Sequence, residues 1–359
     1  MNPKPLLARF ALAAAVCAPL AAQTPLFTDG PAFGGSKVFS EGMNPQGNPA
    51  CFGAAPSGYY FTYLDGDQRA KDNKSNLADA SSADPNAAST ALGQLAGAPW
   101  ALRARSFGFA AIKTGGYFGL SREYLNGMDA AVDLNPAHLG SGLAGNTSQL
   151  TGRTARVDRL DIGGGGNLEQ GSTTSLGINL RVERWASGGL VETYNVIGPG
   201  AAFANAESGL MDSNATAVQS WNLGLDAGMV LELAQGVRLG LAGDQLVPKH
   251  LWDVDLQPQF RAGLQLDLGA LAKLALEGDL NAVERMPLPV KQQSASASLR
   301  FAVGPATTLL LGVERRKVDS TPVTLGGITL QIRASSVLVA VGFQAGQDRP
   351  LKGATFMVD

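Results

Sequence analysis

The sequence predicts an all-β fold, an antiparallel transmembrane β-barrel of about 12–14 strands. Three observations carry the prediction. Segments of roughly ten residues alternate apolar with polar side chains, which gives a strand one apolar and one polar face. Short breaks rich in Gly or Pro separate consecutive segments, as in a meander of hairpins. After residue 22 no run of about 18 apolar residues follows, which excludes a membrane-spanning helix.

The chain opens with an export signal over residues 1–22. Lys4 and Arg9 supply the positive start, Phe10 to Leu20 the apolar run, and Ala21-Ala22 a cleavage site before Gln23. Cys17 raises lipidation as an alternative, but Val16 before it fits a lipid-attachment motif poorly. Removing this stretch takes two basic residues and no acidic one, so the formal charge moves from −2 to −4. Cys51 is then the lone cysteine and no internal disulfide can form; it reads as a small buried apolar residue. Residues 23–57 carry scattered Gly, Pro and Phe without periodicity and precede the first strand.

The barrel is expected over 58–346, with a C-terminal tail at 347–359. In its first half the strand candidates are Gly58 to Leu64, Leu102 to Lys113, Tyr117 to Tyr124, Ala155 to Gly163 and Leu190 to Val196. Residues 66–100, 125–152 and 198–218 read as long insertions, the first with a short helix near Ala87 to Leu95. Gly163 to Gly166 lacks the Lys-Ser/Thr and helix of a phosphate loop and reads as a turn. Alternation is clearest later. Leu176, Ile178, Leu180 and Val182 interleave with Gly177, Asn179, Arg181 and Glu183; Leu223, Leu225, Ala227, Met229, Leu231 and Leu233 interleave with Gly224, Asp226 and Glu232. The same pattern marks 260–268 and 295–303, and strands are also expected at 322–333 and 335–346. The count reaches about fourteen. Yet the breaks at 234–236, 269–270 and 304–306, placed on one rim, leave the last strand running the wrong way, so one strand is miscounted or the C-terminal pair is not two full strands.

A soluble β-sandwich also alternates. The barrel is favoured by segment length, by Leu-, Val- and Ala-rich apolar faces, and by polar faces carrying Gly with charges of both signs. The candidate luminal charges are Arg181, Glu183, Asp226, Arg238, Asp244, Arg261, Asp267, Arg300 and Glu314. They form either an ion-pair network that stiffens the barrel or a channel lining that selects solutes. Aromatic residues are sparse, and the chain ends in Phe356-Met357-Val358-Asp359 without a terminal aromatic.

Chemistry-bearing clusters are thin. A mildly acidic chain offers no basic surface for nucleic acid. His138 and His250 stand far apart, and His138 with Ser141 is the only local hint of a nucleophile and base. Asp65, Asp67 and Asp72 lack the spacing and closing Glu of a calcium loop. No enzyme activity, cofactor or metal is expected.

The run from Gly243 to Asp279 contains Gln245-Leu246-Val247-Pro248, Leu256-Gln257-Pro258-Gln259-Phe260-Arg261-Ala262-Gly263 and Leu276-Glu277-Gly278-Asp279-Leu280-Asn281. It resembles the TraF-type conjugal-transfer barrel family, relatives of the FadL and PorV outer-membrane barrels. Asn48-Pro49-Ala50 resembles the Asn-Pro-Ala element in the N-terminal segment of those families. The resemblance is best over 220–345 and weaker over 40–125. The thioredoxin-like conjugation protein of the same name is not implied, since the chain has no Cys-x-x-Cys. The resemblance implies an outer-membrane location, an N-terminal luminal segment forming a plug that includes Asn48, Pro49 and Ala50, and passage of small apolar molecules or an accessory role in conjugation or secretion. Expected partners are membrane lipid, a small apolar ligand, and periplasmic or secretion-machinery proteins. The rival readings are a structural or interaction barrel with a blocked lumen, and a soluble periplasmic β-sandwich.

Overall fold

The computed structural model describes residues 35–39, 47–68, 102–131, 133–140, 145–169, 172–193, 218–252, 254–269, 271–285, 290–318, 321–345 and 351–358, with five single positions between 86 and 93. The export signal lies outside the described residues. So does most of the helix expected near Ala87 to Leu95, where Asn86, Ala87, Ser89, Thr90 and Gly93 are helical.

The strands follow in chain order as β1 (Gly58–Gln68), β2 (Leu102–Lys113), β3 (Gly116–Ala131), β4 (Gln149–Asn167), β5 (Thr174–Thr193), β6 (Val218–Ala234) and β7 (Val237–Asp244). Next come the three-residue β8 (Lys249–Leu251) and β9 (Val254–Leu256), then β10 (Gln259–Asp267), β11 (Ala272–Asp279) and the short β12 (Val283–Arg285). The chain finishes with β13 (Val290–Ala302), β14 (Thr307–Val318), β15 (Thr321–Ala334), β16 (Val337–Ala345) and β17 (Leu351–Val358). Fourteen of these make one closed antiparallel barrel. Each pairs with its neighbour along the chain, β11 with β13 passes over β12, and β1 with β17 closes the ring. The β8–β9 hairpin forms its own two-stranded sheet.

Closure explains the direction problem in the sequence count. Leu190 to Val196 is not a separate strand: the chain through Thr193 continues β5, a single strand of 20 residues. The expected tail at 347–359 instead supplies β17, paired on both sides from Tyr59↔Val358 and Gln344↔Leu351. One strand is lost and one gained. The short breaks at 114–115, 235–236, 303–306 and 335–336 then share a rim with both ends of the barrel chain. The long connections at 69–101, 132–148, 194–217 and 245–258 fall on the other rim. The insertion expected at 125–152 is also shorter, because β3 and β4 extend to Ala131 and back to Gln149.

The faces settle the solvent. On β6, Leu223 is 67% exposed whereas Asp226, three residues on, is 5% exposed. Ile178, Leu180, Phe260, Val313, Ile328, Val341 and Phe356 also point outward, while Arg181, Arg261, Glu314 and Gln331 are buried. A sandwich in water would bury the apolar set. A barrel with this inside-out pattern belongs in a bilayer, and no sandwich remains.

Two predictions follow from the belt and the seam. Leu225→Arg and Leu264→Arg should each lower the free energy of folding into vesicles by about 2–4 kcal/mol, measured by denaturant titration. Indifference to both would contradict the lipid-facing assignment. Truncation after Gln344 should abolish the heat-modifiable gel form, because β1 and β16 would each lose a whole ladder; retention of that form would refute closure through β17.

Candidate functional site

The lumen is filled in three layers. At the short-turn end the N-terminal segment enters as a 3-10 turn, Pro49–Ala54, capped by Asn48. Phe52 packs there with Tyr60, Ile112, Tyr117, Leu338 and Met357, its ring 4.9 Å from that of Tyr117.

A track of glycines on the inner wall receives this segment. Gly165 on β4, Gly177 on β5 and Gly228 on β6 stand directly opposite one another in register. A Cβ at Gly165 would lie 2.0 Å from Pro49 O, one at Gly177 2.2 Å from Pro49 C, and one at Gly228 1.6 Å from Asn48 Oδ1. The opposed pair Gly240 and Gly263 continues the track, where Cβ atoms would meet Val38 and Phe39 at 2.3 and 2.8 Å. The Gly163–Gly166 run, expected to be a turn, is thus the end of β4. Its glycines bring one backbone against another. That is a demand for empty space, and a lone sequence shows it the same way as a demand for a turn.

Polar bonds hold the segment to the wall. Asn48 is fully buried; its Nδ2 donates to Met229 O (3.2 Å), Leu241 O (3.1 Å) and Val38 O (3.2 Å), and its Oδ1 accepts from Ala50 N (3.0 Å). Pro49 and Ala50, the rest of the expected plug element, are buried beside it. Glu277 on β11 makes the second anchor. Its carboxylate accepts from Ser36 Oγ (2.6 Å), Lys37 N (3.1 Å) and Val38 N (2.9 Å), and from Ser296 Oγ (3.2 Å).

An ionic layer crosses the middle. Arg159 bonds Glu123 at 2.8 Å and approaches Glu183 at 3.4 Å; Arg181 pairs with Asp226 and lies 3.9 Å from Glu183. Asn179 Nδ2 links Asp161 (3.1 Å) to Asp226 (3.2 Å), and Trp185 Nε1 donates to Glu183 at 2.8 Å. Across the barrel Arg261 Nε donates to Asp279 at 2.7 Å, and Arg316 lies 3.3 Å from Glu314. Asp244 is also buried. Arg238, Asp267 and Arg300 occupy the same inner face nearer the short-turn rim, half-buried, with Arg238 donating to Gln265 Oε1 at 3.4 Å. Sequence reading passed over Glu123, Arg159, Asp161, Glu277 and Asp279. The period-two count that picked out Arg261 reaches all five once carried through β3, β4 and β11.

At the long-loop end the β8–β9 hairpin folds inward. Its Leu251, Val254 and Leu256 pack on Leu125, Ala155, Val157 and Trp185, and Lys249 pairs with Glu183. The root of this loop is held by Gln245 N donating to Asp226 Oδ1 at 2.8 Å. A packed apolar cluster thus caps the ionic layer.

The other sequence candidates do not join the lumen network. His250 Nδ1 pairs with Asp255 at 2.6 Å on the exposed face of the hairpin. His138 Nδ1 pairs with Asp133 at 2.7 Å in the 133–148 loop, while Ser141 lies outside the described residues. Asp133 also accepts from the backbone N–H of Asn135 (3.0 Å) and Thr147 (3.0 Å), which makes the pair a loop clasp. Among the described residues no three His, Cys, Asp or Glu side chains gather to hold a metal.

No protein-family model and no curated protein matches the chain. Solved structures do. The toluene transporter TodX of Pseudomonas putida is 12% identical, with a TM-score of 0.51 over 94% of this chain and 96% of its own. A TodX deletion mutant described as a monoaromatic hydrocarbon channel is 10% identical, with a TM-score of 0.51 over 87% of this chain and 92% of that one. A FadL homologue from Pseudomonas aeruginosa is 11% identical, with a TM-score of 0.46 over 95% and 98%. At these identities the likeness is one of fold: a single barrel of the same extent.

Gly228→Val should expel the Asn48 turn while leaving the strand intact. Planar-bilayer conductance should rise several-fold, and residues 36–54 should become open to protease, with heat-modifiability retained. Unchanged conductance would mean that the segment does not seal the lumen. In the loop, the Asn135 and Thr147 amides, followed by the His138 hydrogen bond, hold the Asp133 carboxyl well below the usual range. A depressed carboxylate stabilises its surroundings above its unfolded pKa and loses that effect as pH falls through the depressed one. Exchange protection of the Asn135 and Thr147 amides should therefore survive at about pH 4, where free aspartate titrates, and vanish only in stronger acid. Loss already near that pH would rule the clasp out.

Proposed function

We propose that this barrel lies in the outer membrane and carries small apolar molecules across it. The observation that supports the reading most is the manner of occlusion. The described part of the N-terminal segment sits against the inner wall on a few side-chain hydrogen bonds and close glycine contacts, with no covalent tie among the described residues. Such a stopper can be displaced, whereas a scaffold needs no seat cut into its wall. The apolar cluster under the β8–β9 hairpin, which includes Trp185 and Leu251, is a surface that a small hydrophobic solute would favour over the charged layer beneath it. The fold neighbours include a protein described as a toluene transporter, which fits a solute of that size and polarity. No observation favours a conjugation or secretion role.

The test is uptake of radiolabelled toluene by cells with and without the protein in their outer membrane, beside a polar sugar of similar size. Several-fold faster entry of toluene but not of the sugar is expected. Equal entry of toluene in both strains would sink the transport reading in favour of a blocked structural barrel. Trp185→Asp, which sets a charge in that cluster, should cut the toluene rate at least several-fold while the barrel still shows its heat-dependent gel shift.

A further inference from the structure

The outer wall carries a groove that the luminal path does not use. Across β2–β6 the registers set Phe107, Arg122, Asp158, Arg184 and Trp221 side by side. One step toward the short-turn rim lie Phe109, Leu120, Leu160, Val182 and Leu223; one step the other way lie Tyr124, Arg156 and Gln219. At one level on adjacent strands, then, the outward side chains change from apolar to charged: Leu120 to Arg122, Leu160 to Asp158, Val182 to Arg184. The outward side chains leave a shallow, open hollow there. It forms a groove of about 860 Å³, lined by Leu120, Leu160 and Val182 with Phe107, Phe109 and Trp221.

The charge along this groove, with Arg122, Asp158 and Arg184 in its lining and Arg156 beside it, does not balance. Arg122 Nε donates to Asp158 at 2.5 Å. Arg156 Nε lies 3.7 Å from the other oxygen of the same carboxylate and makes no hydrogen bond among the described residues. Arg184 gives both its hydrogen bonds to the neutral Gln219 Oε1, at 3.2 and 2.7 Å, and its guanidinium sits 5.9 Å over the Trp221 ring. Arg122 and Arg156 therefore share one carboxylate and Arg184 pairs with none among the described residues, on a face that meets lipid. Cations at a membrane boundary draw in anions, and the forked donors of arginine match phosphate oxygens. Aromatic rings such as Tyr124 and Trp221 favour the same headgroup depth.

We infer that this groove holds one phosphate-bearing membrane lipid. Its phosphate lies on Arg122, Arg156 and Arg184, and an acyl chain runs along Leu120, Leu160 and Val182 toward the short-turn rim. The inference needs the barrel to span a bilayer and does not depend on what the lumen carries.

Trp221, on the groove wall, reports occupancy. The full chain is reconstituted into phosphatidylcholine vesicles containing phosphatidylglycerol, with bromine on the acyl chains of one lipid or the other. The Trp221 signal is the difference between wild type and Trp221→Phe. Brominated phosphatidylglycerol should quench it with a preference of roughly fivefold or more over brominated phosphatidylcholine. Arg156→Gln and Arg184→Gln should each erase most of that preference, with toluene uptake unchanged; a heat-dependent gel shift verifies folding, and either variant alone suffices. Equal quenching by the two lipids, or a preference that survives both substitutions, overturns the site. If neither lipid quenches Trp221, the bilayer placement falls as well.

Discussion

Hydrocarbon offers no hydrogen-bond partner, so every N–H and C=O in a wall that crosses it must be satisfied by another strand. The seam between β1 and β17 is where this chain meets that demand. Without it two edges would stand open in lipid. With it, each strand is paired on both sides and the period-two alternation has only one consistent reading. Apolar side chains such as Leu223 and Ile178 face out, and Asp226, Arg181 and their neighbours face in.

That inward turn creates a second demand. Ionised groups removed from bulk water destabilise the fold unless paired. The ionic layer answers by placing Glu183 among Arg159, Arg181 and Lys249, and Asp279 against Arg261. Several inward polar atoms, Asp161 Oδ2, Ser106 Oγ and Gln331 Nε2 among them, have no hydrogen-bond partner among the described residues. A hydrated interior satisfies such groups at little cost. Two packed apolar clusters flank the ionic layer along the axis, one around Phe52 and one beneath the β8–β9 hairpin. Occlusion is distributed: a stopper at one end, a folded loop at the other, and charge between them.

The stopper depends on what the wall lacks. Asn48 reaches the carbonyls of Met229 and Leu241 because Gly165, Gly177 and Gly228 present bare backbone there. Local pattern reading treats a Gly run as a break in a strand, since glycine's usual role is conformational. Here it is steric, and the second surface that explains it arrives from more than a hundred residues away in the chain. The charged groove on the outside has a similar origin. Arg122, Asp158 and Arg184 are unremarkable on their own strands and become a row only through register.

The sequence by itself determined the class of fold, the faces of most strands and the inward side of the charges, because alternation is a local property that a single strand displays. It also marked Asn48-Pro49-Ala50 as a separate luminal element, through its resemblance to other barrels. The tertiary structure alone decided that residues 351–358 close the ring and that β5 is one strand and not two. It alone decided which arginine meets which carboxylate. Those facts depend on shear and register, which bring together residues such as Tyr59 and Val358 from opposite ends of the chain. No local period encodes such a meeting; it follows from the requirement that the last free edge find the first.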